Sequence, residues 1–153
     1  MQTTKPVQVQ EVIFFLNAAI TNSQGQRPPL LAELLATTLP LAVRFRLERM
    51  RVQAGQAIAP YVEQITAMEQ AYAAQADEIM ASEASDDDKK AAIDDLKVAH
   101  DAAIEEIKMQ KLDFTAKLLP ASQLATIDGE AAKLLNEPVV FGWLAPWIED
   151  DLP

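Results

Sequence analysis

Residues 41–118, LAVRFRLERMRVQAGQAIAPYVEQITAMEQAYAAQADEIMASEASDDDKKAAIDDLKVAHDAAIEEIKMQKLDFTAKL, decide how this chain is read. Val43, Leu47, Met50 and Ala54 follow one another in steps of four and three, and so do Ile58, Tyr61, Ile65, Met68 and Tyr72. Such steps hold one apolar seam on one side of a helix. The two runs join through an extra step of four between Ala54 and Ile58, a stutter that unwinds a supercoil locally. Gly55 and Pro60 sit at that stutter. Pro60 lacks a backbone donor and its ring crowds the carbonyl four residues back, so a kink is expected there.

The second arm repeats the pattern with Ile93, Leu96, His100, Ala103, Ile107 and Phe114. Between the arms, SEASDDDKK carries the signature of a helix start. Ser85 is placed to cap the new helix, Asp88 stands three residues on, and Asp86 and Asp87 favour the positive end of the helix dipole. A connection this short makes the arms antiparallel neighbours. A turn centred near residue 84 sets Tyr72 opposite Lys97, Ile65 opposite Ile104 and Ile58 opposite Lys111. At about 1.5 Å per residue, a second arm of some thirty residues is roughly 45–50 Å long. That surplus over the needs of a small domain predicts a projecting or self-associating hairpin. The alanine-rich seam from Ala54 to Ala103 buries little area per turn, at roughly 25 cal/mol per Å². It therefore needs the rest of the chain, a second copy or a partner to cover it.

The flanks read as short elements. Residues 3–9 alternate apolar with polar, as a short edge strand does. From Val9 the spacing turns helical: Val9, Ile13, Leu16 and Ile20 share a face, Val12, Phe15 and Ala19 lie beside it, and Phe14 makes the helix apolar nearly all round. Burial is expected for all of them. TNSQGQRPP breaks the chain, and a second helix starts after Pro28–Pro29, with Leu30, Leu31, Leu34, Leu35 and Leu39 as its stripe. Pro40 kinks or ends that helix. Beyond Leu118, Leu119 and Pro120, one or two short helices are expected around Asp128–Gly129, stopping near Pro138. In the tail, Phe141, Leu144, Trp147 and Ile148 stand at helical spacing with Trp143 alongside. The expected fold is all-α: a long antiparallel helical hairpin, coiled-coil-like, over 41–118, on a base of short helices from 1–40 and 119–153. It has room for a minor two-stranded β element, and the whole forms one domain over 1–153.

Half of the 153 residues are apolar, enough for a real core. No apolar run reaches the roughly 18 residues of a membrane span, and the opening residues lack the pattern of a signal peptide. The absence of cysteine removes disulfides, thiolate nucleophiles and zinc ribbons. Synthesis and residence inside a cell fit these traits.

The net charge of −10 is unevenly spread. Residues 1–60 hold three acids and six bases, whereas residues 77–106 hold eleven acids and three bases. Four of the five arginines crowd into Arg44, Arg46, Arg49 and Arg51. Either a basic base and an acidic tip (Asp86, Asp87 and Asp88) recognise different partners, or these are solvated faces that keep helices soluble. Trp143 and Trp147 divide in the same way. They are an aromatic anchor for a partner, or they seal the base of the hairpin.

The opening EVIFFLNAAITNSQGQRPPLLAELLATTLPLAVRFRLERM and the tail LLNEPVVFGWLAPWIEDDL resemble small uncharacterised proteins of tailed bacteriophages. In those, an apolar helix leads through a short turn to an arginine-bearing helix and a long acidic middle. The likeness covers the two ends, and the alanine-rich hairpin departs from it. It implies a phage-encoded helical protein, with no site residues to carry over.

Catalytic patterns are missing. A di-metal carboxylate bundle needs Glu-x-x-His motifs, and the one histidine, His100, belongs to none. His100 reads as a partly buried seam residue. No G-x-S-x-G exists, and four glycines do not make a phosphate loop. Asp86, Asp87 and Asp88 lack the alternation and closing glutamate of a calcium loop. Net charge disfavours nucleic-acid binding, unless the arginine cluster acts alone. The expectation is a non-enzymatic protein without cofactor that binds protein partners and forms homo-oligomers. It would reside in the cytoplasm of a bacterial host or with the virion. The rival expectation is an acidic inhibitor that mimics nucleic acid to block a host defence or a nucleic-acid enzyme.

Overall fold

The first element is a strand, β1 (Thr4–Gln8), and the chain turns helical at Val9 to form α1 (Val9–Asn17). In the computed structural model, residues 4–22 and 25–152 are described; Thr3 of the expected edge strand lies outside them. Glu11 accepts a hydrogen bond from the backbone N–H of Gln8 at 2.8 Å, closing the start of α1. Val9, Val12 and Phe15 are buried, but Phe14 is 57% exposed. The expectation of an all-round buried helix is therefore corrected. Nine residues make only two and a half turns, α1 packs along the 9–12–15 edge, and Phe14 points away from it.

Ala19–Asn22 (β2) pairs antiparallel with Gly25–Pro29 (β3). Ile20, expected on the helical face, thus lies on a strand. The expected chain break is a β-hairpin, whose Ser23 and Gln24 lie outside the described residues. Gly25 has φ +114°, a conformation that side chains disfavour. Helix α2 (Leu30–Leu35) follows the prolines and buries Leu30, Leu31 and Leu34. It ends before Pro40, with the Thr37 hydroxyl donating to the Leu34 carbonyl at 2.6 Å.

Helix α3 (Leu41–Ala81) runs unbroken through Pro60 and packs against α4 (Asp86–Lys108) as the expected hairpin. The Ser85 side chain accepts from the Asp88 N–H at 3.2 Å, and Asp86, Asp87 and Asp88 form the first turn of α4. The expected seam holds along the start of α3, where Val43, Leu47, Met50, Ala54 and Ile58 are all buried. The second arm is shorter than its spacing predicts. It stops at Lys108, and Lys111–Lys117 (β4) pairs antiparallel with β1, Thr4 opposite Lys117 and Gln8 opposite Lys111. KLDFTAK carries a β-branched and an aromatic residue, as strands prefer, and β1 offers it an edge. Lys111 is therefore on a strand, not facing Ile58 across two helices. The side chain of Phe114 lies outside the described residues.

Leu119–Pro120 (β5) leads into α5 (Ala121–Leu124), α6 (Gly129–Leu135) and α7 (Pro138–Leu144). A 3₁₀ turn, Ala145–Trp147, then delivers Ile148–Glu149 (β6) alongside β5 in parallel. The tail stripe is corrected too: Val140, Trp143, Leu144 and Trp147 are buried, Phe141 is exposed, and Ile148 is on a strand.

The chain falls into two compact units, one ending at Ile58 and resuming at Lys111, the other Ala59–Gln110. The division crosses α3 beside the stutter. The first unit holds nearly all of the core, including Val7, Phe15, Leu47, Leu119, Val140 and Trp143. The second buries only Ile104 and Ile107 among the described residues. Its arms also meet where the Tyr72 and His100 rings lie 4.7 Å apart, one turn beyond the expected Lys97.

Candidate interaction surfaces

The arginine cluster separates into four different situations. Arg44 donates through Nη2 to the carbonyls of Leu35 and Thr37, both at 2.8 Å, so it satisfies acceptors that the end of α2 leaves open. Arg46 reaches the Leu118 carbonyl at 3.4 Å. Arg51 holds Glu48 one turn back, its Nε and Nη2 both 2.9 Å from Oε2. Arg49 is exposed, beside Phe45, Glu48, Val52 and Gln53 around one shallow depression. Two of the four thus serve the local fold, and Arg49 and Arg51 remain at the surface.

Asp151 accepts from both the hydroxyl and the backbone N–H of Ser122, and Asp150 accepts from the Leu152 N–H. The Ser122 hydroxyl first, and its backbone N–H second, hold the Asp151 carboxyl below the usual aspartate range. The two tryptophans are core residues at 2% and 3% exposure. Trp143 stacks on Phe15, with planes 8° apart, and Trp147 tilts against the same ring at 4.8 Å. Buried on that scale, neither indole offers a face to a partner.

Arg27, which the sequence did not single out, joins two carboxylates: Glu33, six residues on, and Glu137, at 2.9 Å. Hydrogen bonds donated to Glu137 first and to Glu33 second raise the guanidinium above its already high pKa. This is a clasp between β3, α2 and the start of α7.

Asp86, Asp87 and Asp88 are fully at the surface, with Ser85 and Lys89 beside them. The Lys89 ammonium is turned to the Met80 carbonyl at 3.0 Å, closing the end of α3. The acidic run therefore keeps its charge facing water. Between Ala59 and Gln110 thirteen acids face four bases, which puts −9 of the chain's −10 on this unit.

A further surface escapes the heptad reading. Leu41, Phe45 and Val52 are 77%, 68% and 46% exposed. At 3.6 residues per turn they fall within about 40° of one another and on the opposite side of α3 from Val43, Leu47 and Met50. The signal was present as a second row of large apolar residues, four and seven apart, masked by the stronger seam. Gly55 and Ala59 continue the same row, and a Cβ on Gly55 would meet nothing within 4 Å. No helix among the described residues is long and apolar enough to cross a membrane, and no group of three or more His, Asp or Glu among them is placed to hold a metal.

No protein-family model matches the chain, and neither a curated protein nor a solved structure is significantly similar to it.

Proposed function

We propose that the chain is a non-enzymatic helical interaction protein, a phage-encoded structural component or adaptor that works in a bacterial host by contacting other proteins. One observation carries this reading: the unit Ala59–Gln110 buries only Ile104 and Ile107 among the described residues. Two helices of that length with so small an interior present almost their whole surface to solvent. Their charge of −9 gives that surface a sign, which steers oppositely charged partners and rejects like-charged ones. Resemblance of the two ends of the chain to phage proteins supports the phage origin.

The concentration of carboxylates also supports a second reading, an acidic inhibitor that occupies a nucleic-acid site on a host enzyme. The two part in one experiment. The tagged chain is used for capture from host lysate at low and high salt, beside a variant with Asp86, Asp87 and Asp88 replaced by serine. An adaptor contact centred on the acidic turn weakens with salt, because exposed charges are screened beyond roughly 10 Å at 0.1 M, and weakens again in the variant. Release of the captured protein by added DNA or RNA would favour the inhibitor. Capture indifferent to both salt and substitution would remove the acidic turn from either reading.

A further inference from the structure

From the exposed row on the first half of α3 we infer that this helix pairs with the same helix of a second copy, antiparallel, about a two-fold axis near residue 50. The inference rests on the interaction reading and names one partner for it. The row runs from large to small: Leu41 and Phe45 at one end, Glu48 and Val52 in the middle, Gly55 and Ala59 at the other. Turned end for end, a second row offers its small half to the large half of the first. Leu41 then meets the partner's Ala59, and Phe45 meets the open space over the partner's Gly55, where nothing lies within 4 Å of an added Cβ. Glycine within a helix costs about 1 kcal/mol relative to alanine, and close approach of a second helix gives it a use. A parallel pair would set Phe45 on Phe45, Gly55 on Gly55 and Glu48 on Glu48, which wastes the shape and repels the charge.

Charge selects the same arrangement. Residues on one flank of an antiparallel helix pair face the same flank of the other helix. Glu48 lies within the row and Arg51 on the flank beside it, and in each chain both guanidinium contacts fall on Oε2 of Glu48. About the two-fold axis, Arg51 of each copy comes level with Glu48 of the other, so four charges alternate. Isologous contacts of this kind are self-complementary by construction. One helix face is smaller than the roughly 800 Å² per partner of a standard interface, so the pair belongs to the micromolar range of association.

Sedimentation of the full chain over about 1–100 μM tests this; it is expected to report a monomer–dimer equilibrium. Phe45→Glu is expected to raise the dissociation constant about tenfold or more, the loss of one anchor residue, with an unchanged circular-dichroism melt because Phe45 is exposed. Gly55→Leu should do the same by filling the space. Glu48→Arg and Arg51→Glu should each weaken the dimer, and the double swap should restore it, since it rebuilds the same alternation. A monomer at every concentration overturns the inference, as does a dimer that Phe45→Glu leaves intact. A dimer broken by Phe45→Glu but not recovered by the double swap overturns the antiparallel register. If the chain is monomeric and still captures a partner through Asp86–Asp88, the inference fails while the interaction reading stands.

Discussion

The indole N–H of Trp143 donates to the backbone carbonyl of Phe15 at 3.1 Å, and the two rings stack with centroids 5.5 Å apart, across 128 positions of sequence. This contact brings α7 onto α1 and supplies both area and direction. Trp143→Ala removes a large buried side chain and strands a carbonyl, so a loss on the order of 3–5 kcal/mol is expected. Trp143→Phe keeps a ring but not the donor, and should cost about 1–3 kcal/mol for the unsatisfied carbonyl. Urea unfolding of both variants beside the parent checks the ranking; a Trp143→Phe chain as stable as the parent would mean that the hydrogen bond contributes nothing.

In the Ala59–Gln110 unit, the Ser85 side chain caps the N-terminus of α4 by accepting from the Asp88 N–H. Ser85→Ala should destabilise the Ala59–Gln110 unit by about 1 kcal/mol. Hydrogen exchange would show it as faster exchange of the first turn of α4, with the strand β4 unaffected. Replacing Asp86 by serine leaves the cap and removes only a favourable charge near the helix dipole, about 0.3–1 kcal/mol, so its effect should be smaller.

Arg27 serves two carboxylates at once, and this predicts an asymmetry. Arg27→Met should lower the melting temperature more than Glu33→Gln or Glu137→Gln, because it leaves two neighbouring acids without their shared cation. Arg27→Lys should recover only part of the loss, since an ammonium does not reproduce the fork of a guanidinium. Melting curves of the four variants beside the parent decide it. Loss on Arg27→Met no larger than on either glutamine variant would show that the clasp acts through one carboxylate only.

Asp151 gives a pH dependence with a definite sign. Its pKa is lowered in the folded chain by Ser122, so it contributes stability above its unfolded value near about 3.9. That contribution is lost as pH falls through the lower, folded value. Ser122→Ala removes the hydroxyl donor and should return the Asp151 titration toward the ordinary range. Carboxyl carbon shifts followed by NMR between about pH 2 and 6 would detect it.

Strong periodicity carried the parts of the fold that could be read from the residues. The hairpin, its Ser85 cap and the buried row Val43–Leu47–Met50–Ala54–Ile58 all rest on spacing repeated over many turns, where one misplaced residue changes little. The short elements were less legible for the opposite reason. Nine residues from Val9 to Asn17 contain too few turns for Phe14 to declare its side, and Ile20 continues the helical spacing although the chain has already turned into β2. The strand Lys111–Lys117 was hidden because its stabilisation comes from β1, more than a hundred positions away, which no local window contains. The tryptophans were ambiguous between core and docking motif, since only burial separates the two. Of the interaction candidates, Arg49 and the three aspartates lie at the surface, Arg44 is committed to the end of α2, and the exposed row of Leu41, Phe45 and Val52 is masked in the sequence by the stronger seam.

The pairing of Thr4 with Lys117 bears on how the chain is made. A ribosome delivers residues at about 5–20 per second, so β1 leaves the tunnel on the order of 6–20 s before its partner strand exists. During that interval its backbone donors and acceptors have no ladder to join, and a bare strand edge invites pairing with other nascent chains. The β1–β4 ladder cannot close until Lys111–Lys117 has been made, and the contact of Trp143 with Phe15 waits longer still, for α7. Slow translation or high local concentration on a polysome should raise the yield of misassembled chains, and trigger-type holding of the first twenty residues should lower it.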